Sequence, residues 1–299
     1  MKKPFKESIT NDPHSSFRLK YSKIACLDSP WHLHNYYELF FILNGHGMRF
    51  VGDCISSFSS GDMVFLGPNL PHVWRNPDAY YAATKTETDV EAICLQFDYD
   101  AFGKGFFDIP EMSSIKKLLI LSKRGLRILG HAHSEIATCL VEMLESGSFP
   151  RLLSLLHVLS VLASTKEVEA LTHPSFTYSN YRQAHERMGR VFEYISNNYK
   201  NNITLEEVSK QARMSKAGFC KHFKKTTLKT FVQYLNEVKI NYASQLLQED
   251  NLTISEICFK TGFNNLSYFN RTFKSITGKT PKEYQKSMTY ILKNPSQSL

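Results

Sequence analysis

The chain has 299 residues, 42% of them apolar and 21% charged, with a formal net charge of +8. This is ordinary globular composition, long enough for two domains with sizeable cores. Six scattered cysteines (Cys26, Cys54, Cys94, Cys139, Cys220, Cys258) form no CxxC pair, which argues against a disulfide framework or a cysteine zinc site. They read as thiols of a reducing compartment, so a cytoplasmic location is expected. The basic start MKKPFKESIT has no apolar run behind it, so no signal peptide is expected. The most apolar stretch, LLSLLHVLSVLA, is too short and too broken by Ser and His to span a bilayer, and no membrane partner is expected. Charge is uneven: from His185 onward the balance is +9, and before it −1. The basic back is a candidate for binding a polyanion.

In chain order, the first half alternates short β-like runs with turn residues. SFRLKYS, YELFFILN, GMRFVG, DMVFLG, HVWRN and EAICLQFD are the expected strands, with turns at NGHG, SSGD and GPNLP. Many short strands with close turns predict a β-sandwich or small barrel. Helical spacing begins after Phe102, in SEIATCLVEMLES and FPRLLSLLHVLSVLAS. In the second, Leu152, Leu155, Leu156, Leu159 and Leu162 form one stripe, which meets either its own barrel or a second subunit. Residues 165–184 are polar with little periodicity and read as an interdomain linker. Everything from His185 on is helical in pattern.

The last hundred residues contain a repeat. ITLEEVSKQARMSKAGFCKHFKK aligns with LTISEICFKTGFNNLSYFNRTFK: Thr204 with Thr253, Glu207 with Glu256, Met214 with Phe263, Phe219 with Phe269 and Phe223 with Phe273. Each copy reads as a helix, a tight turn and a second helix. Thr204 with Glu207, and Thr253 with Glu256, form capping boxes. Ser215 and one of Asn264 or Asn265 cap the second helices. Two such hairpins on a basic segment point to helix-turn-helix binding of duplex DNA.

The run ISEICFKTGFNNLSYFNRTFKSITGKTPKEY resembles the signature of the AraC/XylS family of bacterial transcription regulators. The resemblance covers about 185–287 and implies two helix-turn-helix units joined by a long helix, here TFVQYLNEVKINYASQLLQE. It implies an operator-facing set of Lys216, Ala217, Cys220 and Lys221 on the first recognition helix. On the second it implies Asn265, Leu266, Ser267, Asn270 and Arg271. Lys and Arg suit guanine edges and Asn suits adenine. Ala217 and Cys220 depart from the large polar residues the family often carries there, and can touch only a thymine methyl or nothing. The first unit then works largely through phosphates, with Lys216, Lys224 and Lys225 supplying charge.

In the front half, His32, His34, Glu38 and Phe40 are spaced to share one face of a strand. With Gly45, Gly61, His72 and Asn76 they resemble the two-motif signature of cupins, with Gly67 in place of a Pro and Asn69 in place of a Gly. AraC/XylS proteins commonly carry such a barrel as an effector sensor. The resemblance implies that His32, His34, Glu38 and His72 hold a divalent metal, for which Fe, Mn, Ni or Zn would suit. Alternatively, His32, His34, Glu38, Phe40, His72 and Trp74 line an effector pocket without metal. Its Trp31, Phe40, Phe41, Phe65 and Trp74 surroundings suit a sugar or an aromatic ligand. His46, His131 and His133 fall outside the motif and are expected at the surface or in turns.

The expectation is an α+β two-domain chain. A cupin-like effector-sensing barrel (1–130) is followed by a helical dimerisation or packing segment (131–164), the linker (165–184), an all-α double helix-turn-helix domain (185–290) and a tail (291–299). The implied function is a transcription regulator, not an enzyme, with an operator, a small-molecule effector, a second copy and the transcription machinery as partners. An arm before Ser16 is expected to close over the pocket. The competing reading is a metal-dependent cupin enzyme with a helical appendage.

Overall fold

The computed structural model describes residues 15–29, 31–77, 80, 90–174, 176, 182–227, 229–247 and 252–286, the side chains of 182–186 and 225 aside. The arm before Ser15 and the 291–299 tail lie outside the described residues. The chain divides into two compact units near residue 180.

The front unit contains β1 (Phe17–Ile24), β2 (Tyr37–Asn44), β3 (Gly47–Val51), β4 (Cys54–Phe58), β5 (Met63–Leu66), β6 (His72–Arg75) and β7 (Val90–Phe97). These are followed by α1 (Ser113–Leu121), β8 (Leu126–Ile128), α2 (Gly130–Glu145), α3 (Ser148–Ser164) and β9 (Val168–Ala170). One sheet has the order β1-β7-β2-β5-β8-β9 and the other β4-β3-β6. Strand β9 pairs antiparallel with β8, Leu126 opposite Ala170 and Ile128 opposite Val168. The first part of the expected linker is therefore an edge strand. Its apolar residues alternate over only three positions, too few to register as a strand in a polar run.

Side chains alternate across the larger sheet with period two. Tyr37, Leu39, Phe41, Phe65, Leu95 and Phe97 point to one face and pack with Ile136, Leu140 and Met143 of α2 and Leu155, Val158, Leu159 and Leu162 of α3. Ile42, Val64, Leu66 and Ala92 point to the other, beside Val51, Phe58 and Trp74. Of the leucine stripe of α3, Leu155, Leu159 and Leu162 are thus core of their own unit and Leu152 packs against the same cluster, while Leu156 is half-buried outside it. What α2 and α3 leave exposed lies elsewhere, at Val141, Phe149 and Leu153.

The second unit contains α4 (Arg182–Asn198), α5 (Leu205–Ala212), α6 (Lys216–Thr227), α7 (Phe231–Leu246), α8 (Ile254–Lys260) and α9 (Leu266–Thr277). Both capping boxes form: Thr204 with Glu207, and Thr253 with Glu256. A third, Thr230 with Gln233, starts the connecting helix α7. Rings pack behind each second helix: Phe219 and Phe223 against Phe231, Phe223 also against Tyr234 and Phe192, and Phe269 against Phe263 and Phe273.

The two turns close on the same hydrogen bonds. In the first, Arg213 N–H donates to Lys210 O and Met214 N–H to Ser209 O; in the second, Gly262 N–H donates to Phe259 O and Phe263 N–H to Cys258 O. Each is a helix end in which one left-handed residue reverses the chain and an apolar residue follows it inward. Arg213 (φ 53°) and Gly262 (φ 75°) hold that left-handed position. It costs a residue with a Cβ roughly 1–2 kcal/mol and glycine nearly nothing. Arg213→Gly is therefore expected to raise the thermal midpoint of the helical unit, and Gly262→Ala to lower it, each by about 1 kcal/mol, in denaturation followed by circular dichroism. Shifts of the same sign in both variants would contradict the shared turn.

Candidate functional sites

His32, His34 and His72 come together, each offering a ring nitrogen within 4.8 Å of the other two, and all three are buried. His32 and His72 are held side by side by a backbone bridge between them, and Asn69 N–H donates to His34 O at 2.6 Å. Both departures from the cupin pattern fit the loop before β6. Asn69, standing where a Gly was expected, is left-handed (φ 61°), a conformation Asn tolerates better than most residues. Gly67, standing where a Pro was expected, donates its N–H to Ser122 O, and any Cβ there would meet the Lys123 backbone nitrogen at 2.7 Å.

Two of the imidazoles are oriented by main-chain carbonyls. His34 Nδ1 donates to Tyr36 O at 3.0 Å, and His72 Nδ1 to Leu70 O at 2.8 Å. A neutral imidazole bonded in this way presents its lone pair at Nε2. Both Nε2 atoms are buried without a hydrogen-bond partner among the described residues, and they face Glu38, at 3.2 Å from Oε2 and 3.7 Å from Oε1. Gln96 Nε2 donates to Glu38 Oε2 at 2.6 Å. Lone pairs gathered around a carboxylate are the donor set of a divalent cation, and carbonyl-bonded rings are the usual support for such ligands. The residues present fit a metal, while equally lining a polar pocket floor.

Burial alone would raise the Glu38 carboxyl, but the adjoining His34 and His72 rings and the Gln96 amide together hold it below the usual carboxylate range. Burial, then the neighbouring His32, pushes the His72 imidazole well below its ordinary value, so it is neutral near pH 7.

A cavity of about 170 Å³ opens beside this cluster, and His32, Glu38, Phe40 and Trp74 line it. Phe40 and Trp74 pack with ring centroids 4.7 Å apart. His34 and His72, also expected in the pocket, sit in the adjoining cluster. Phe41 and Phe65 do not face it: strand alternation puts them in the core under the helices, and Trp31 is likewise not part of the lining. Unforeseen lining residues are Gln96 and Cys94 of β7 and Arg18 and Lys20 of β1. His46 bonds the Tyr80 hydroxyl at 3.0 Å, His133 lies 2.6 Å from Gly61 O, and His131 is exposed beside Glu135.

In the helical unit, Lys216, Ala217, Cys220 and Lys221 are exposed on α6, opposite buried Phe219 and Phe223. Lys216 Nζ is 3.3 Å from Glu206 Oε2 of α5. On α9, Leu266, Ser267 and Arg271 are exposed and Asn270 is half-buried, opposite Phe269 and Phe273. Asn265, not Asn264, caps this helix, its Oδ1 accepting from Tyr268 N–H at 2.8 Å, so part of that side chain is committed structurally. The Arg271 guanidinium lies 5.6 Å from the Tyr268 ring centroid. Tyr268 accepts from Asn236 of α7 at 2.8 Å. Lys239 of α7, almost fully buried with its ammonium pKa lowered by that burial, donates to Gly262 O at 2.8 Å and lies over Phe263. Both contacts anchor the second hairpin on the connecting helix, and nothing in the sequence marked Lys239 as anything but a surface cation.

Residues 208–287 match the family model for a helix-turn-helix domain, and residues 26–83 the model for a cupin domain. Among curated relatives, the uncharacterized HTH-type transcriptional regulator YdeC of Bacillus subtilis is 32% identical over 100 residues, 33% of this chain and 34% of its own length. A regulator in the cgkA 5′ region of Pseudoalteromonas carrageenovora is 35% identical over 96 residues, 32% of this chain and 57% of its own. The match therefore spans about a third and just over half of these relatives. The Msm operon regulatory protein of Streptococcus mutans is 23% identical over 257 residues, 84% of each chain. Among solved structures, ToxT from Vibrio cholerae O395 covers 92% of this chain and 98% of its own at 15% identity and a TM-score of 0.37. A probable AraC family transcriptional regulator from Rhodopseudomonas palustris covers 34% and 96% at 25% identity and a TM-score of 0.33.

Linkage gives the pH behaviour of the front unit. An unfolded histidine takes up a proton below about 6.5 and an unfolded glutamate below about 4.3. Folded His72 and Glu38 resist protonation, so both contributions are full above those values and are lost as pH falls. Both tryptophans, Trp31 and Trp74, lie in the front unit and report it alone. In chelator, the urea midpoint by tryptophan fluorescence is expected to decline from about pH 6.5 downward, and His72→Gln to flatten the upper part of that decline. Equal midpoints at pH 8 and pH 5 would contradict a neutral buried His72.

Proposed function

We propose, for a chain that carries a cupin domain ahead of an AraC-type helix-turn-helix domain, that it is a ligand-responsive transcription regulator. The observation that carries this is the pair of hairpins closed by the same turn, each leaving the outer face of its second helix exposed. In this reading Lys216, Ala217, Cys220 and Lys221 lie against one major-groove segment, and Asn265, Leu266, Ser267, Asn270 and Arg271 against another. Arg271, Asn270 and Lys221 have donors free to reach base edges or phosphates. Asn265 acts first as a helix cap. The front cavity takes a small effector, a sugar among the candidates, which changes DNA affinity only insofar as it binds one arrangement of the protein better than another. A second copy would meet the exposed Val141, Phe149 and Leu153 of α2 and α3, and the DNA-bound protein would act on the transcription machinery from the cytoplasm. Among the described residues, no helix is long and apolar enough to cross a membrane.

The histidine cluster supports a divalent cation within this role. His32, His34, His72 and Glu38 would hold it, and it would supply a fixed positive charge that orients an oxygen-bearing ligand. The enzyme reading rests on that cluster alone and leaves the doubled helix-turn-helix without a role.

Binding to duplex DNA by fluorescence anisotropy is expected to weaken linearly in log salt, with a slope that counts phosphate contacts. Arg271→Ala and Lys221→Ala should each weaken binding to a selected duplex by roughly tenfold or more, a loss of about 1–3 kcal/mol. Salt-independent or absent binding would sink the regulator reading, and unchanged affinity in both variants would sink the assigned faces. For the cation, calorimetric titration of chelator-stripped protein with Zn²⁺ should give one site per chain that His72→Ala abolishes. No heat of binding with Zn²⁺, Ni²⁺ or Mn²⁺ would leave the cluster as polar lining.

A further inference from the structure

Strand β1 separates its side-chain donors by face. Tyr21 and Lys23, on one side, are both spent on Glu91, at 3.0 and 2.8 Å. Arg18 and Lys20, on the other side, line the front cavity, and among the described residues neither is paired with a carboxylate. The indole N–H of Trp74, buried in the same lining, also lacks an acceptor among the described residues. Arg18 is half-buried and Lys20 exposed, so water serves both cations, while the indole N–H is buried. All three donors are open to an acceptor that enters the cavity and displaces that water. Cation-assisted hydrogen bonds are about twice as strong as neutral ones, so the matching group is an anion.

The strand register says where it sits. Arg18 is opposite Gln96, which is opposite Glu38; Lys20 is opposite Cys94, which is opposite Phe40. Adjacent strands are about 4.8 Å apart, so the Arg18 and Glu38 backbones are separated by roughly 10 Å. Gln96 stands between them with its amide on Glu38. An anionic head at the β1 side therefore avoids the carboxylate, while the rest of the molecule reaches Phe40 and Trp74.

We propose that the cavity binds an organic anion, its carboxylate or phosphate head held by Arg18 and Lys20 and its apolar ring or chain packed on Phe40 and Trp74. This rests on the reading of the front unit as the effector site and names the class of effector. A neutral sugar would accept hydrogen bonds from the cations through its hydroxyls but leave both charges uncompensated.

The test titrates the full chain with benzoate, phenyl phosphate and the neutral benzamide, following tryptophan fluorescence in a phosphate-free buffer. At least one anion is expected to saturate the signal at least tenfold more tightly than benzamide, and the tighter anion identifies the head group. An Arg18→Gln/Lys20→Gln double variant should lose at least tenfold in that affinity. Lys23→Gln, on the other face of the same strand, should lose nothing, which separates a contact with ligand from damage to β1. Benzamide binding as tightly as both anions, or anion binding unchanged in the double variant, overturns the anionic class and leaves the effector cavity standing. No saturable signal from any of the three, with the circular dichroism of the folded chain intact, overturns both.

Discussion

Strand β2 has a strand on each side, and Tyr37 to Ile42 are buried except Phe40, which is half-buried at the cavity. Five of these six residues are apolar or aromatic and pack as such. The sixth is Glu38, and a carboxylate inside such a sheet is tolerable only with partners. Its neighbours follow from that constraint. Gln96 arrives from β7, the adjacent strand, and His72 from β6, across the sandwich; His34 comes from the segment that leads into β2. The imidazoles are in turn oriented by main-chain carbonyls two residues away in sequence. The front unit therefore holds a polar centre inside its sandwich. The cavity beside it carries charges of opposite preference: lone pairs and a carboxylate at the cluster, and cations at β1 with no carboxylate partner among the described residues.

The helical unit solves a different problem. A helix that serves the proposed DNA reading must be rigid on its buried side and uncommitted on its exposed side. Phenylalanines spaced by four provide the first in both hairpins, Phe219 with Phe223 and Phe269 with Phe273. The left-handed turn fixes the angle at which each helix leaves its partner. The first hairpin tolerates an arginine in that turn where the second has the glycine. The second hairpin has an additional restraint, since Lys239 and Asn236 tie its turn and its helix to the connecting helix. Its outer face also carries the larger share of polar side chains suited to base edges. Within the proposed function, both features suit a division of labour in which α9 would read sequence and α6 would contribute mainly charge.

What could be read from the sequence depended on how local each interaction was. The hairpins were legible because every determinant lies within a few residues: the capping boxes, the turn, the paired phenylalanines. Six of the strands were legible from alternation or apolar runs. CISSF was not recognised as β4, since its apolar residues do not alternate. Strands β8 and β9 were missed because three residues are too few to show a period. The histidine cluster was legible as a motif, yet its supports were not: Gln96 lies 58 residues from Glu38, and only the pairing of β7 with β2 brings them together. The same holds for Arg18 and Lys20, whose strand was identified but whose place beside β7 was not. Phe41 and Phe65 were assigned to the pocket by nearness in sequence. The two-residue period of the strands turns them to the opposite face. Lys239 is the reverse case, a cation buried by a contact that no local pattern announces.

As a regulator of the proposed kind, the protein must engage DNA through both hairpins. Hydroxyl-radical and methylation footprinting of the full chain on a duplex selected from a random pool tests this. Two separate protected major-groove tracts per bound copy are expected, with guanine or adenine contacts in the tract lost on Arg271→Ala. A single protected tract that Lys221→Ala leaves unchanged, or no sequence selected from the pool at all, would contradict it.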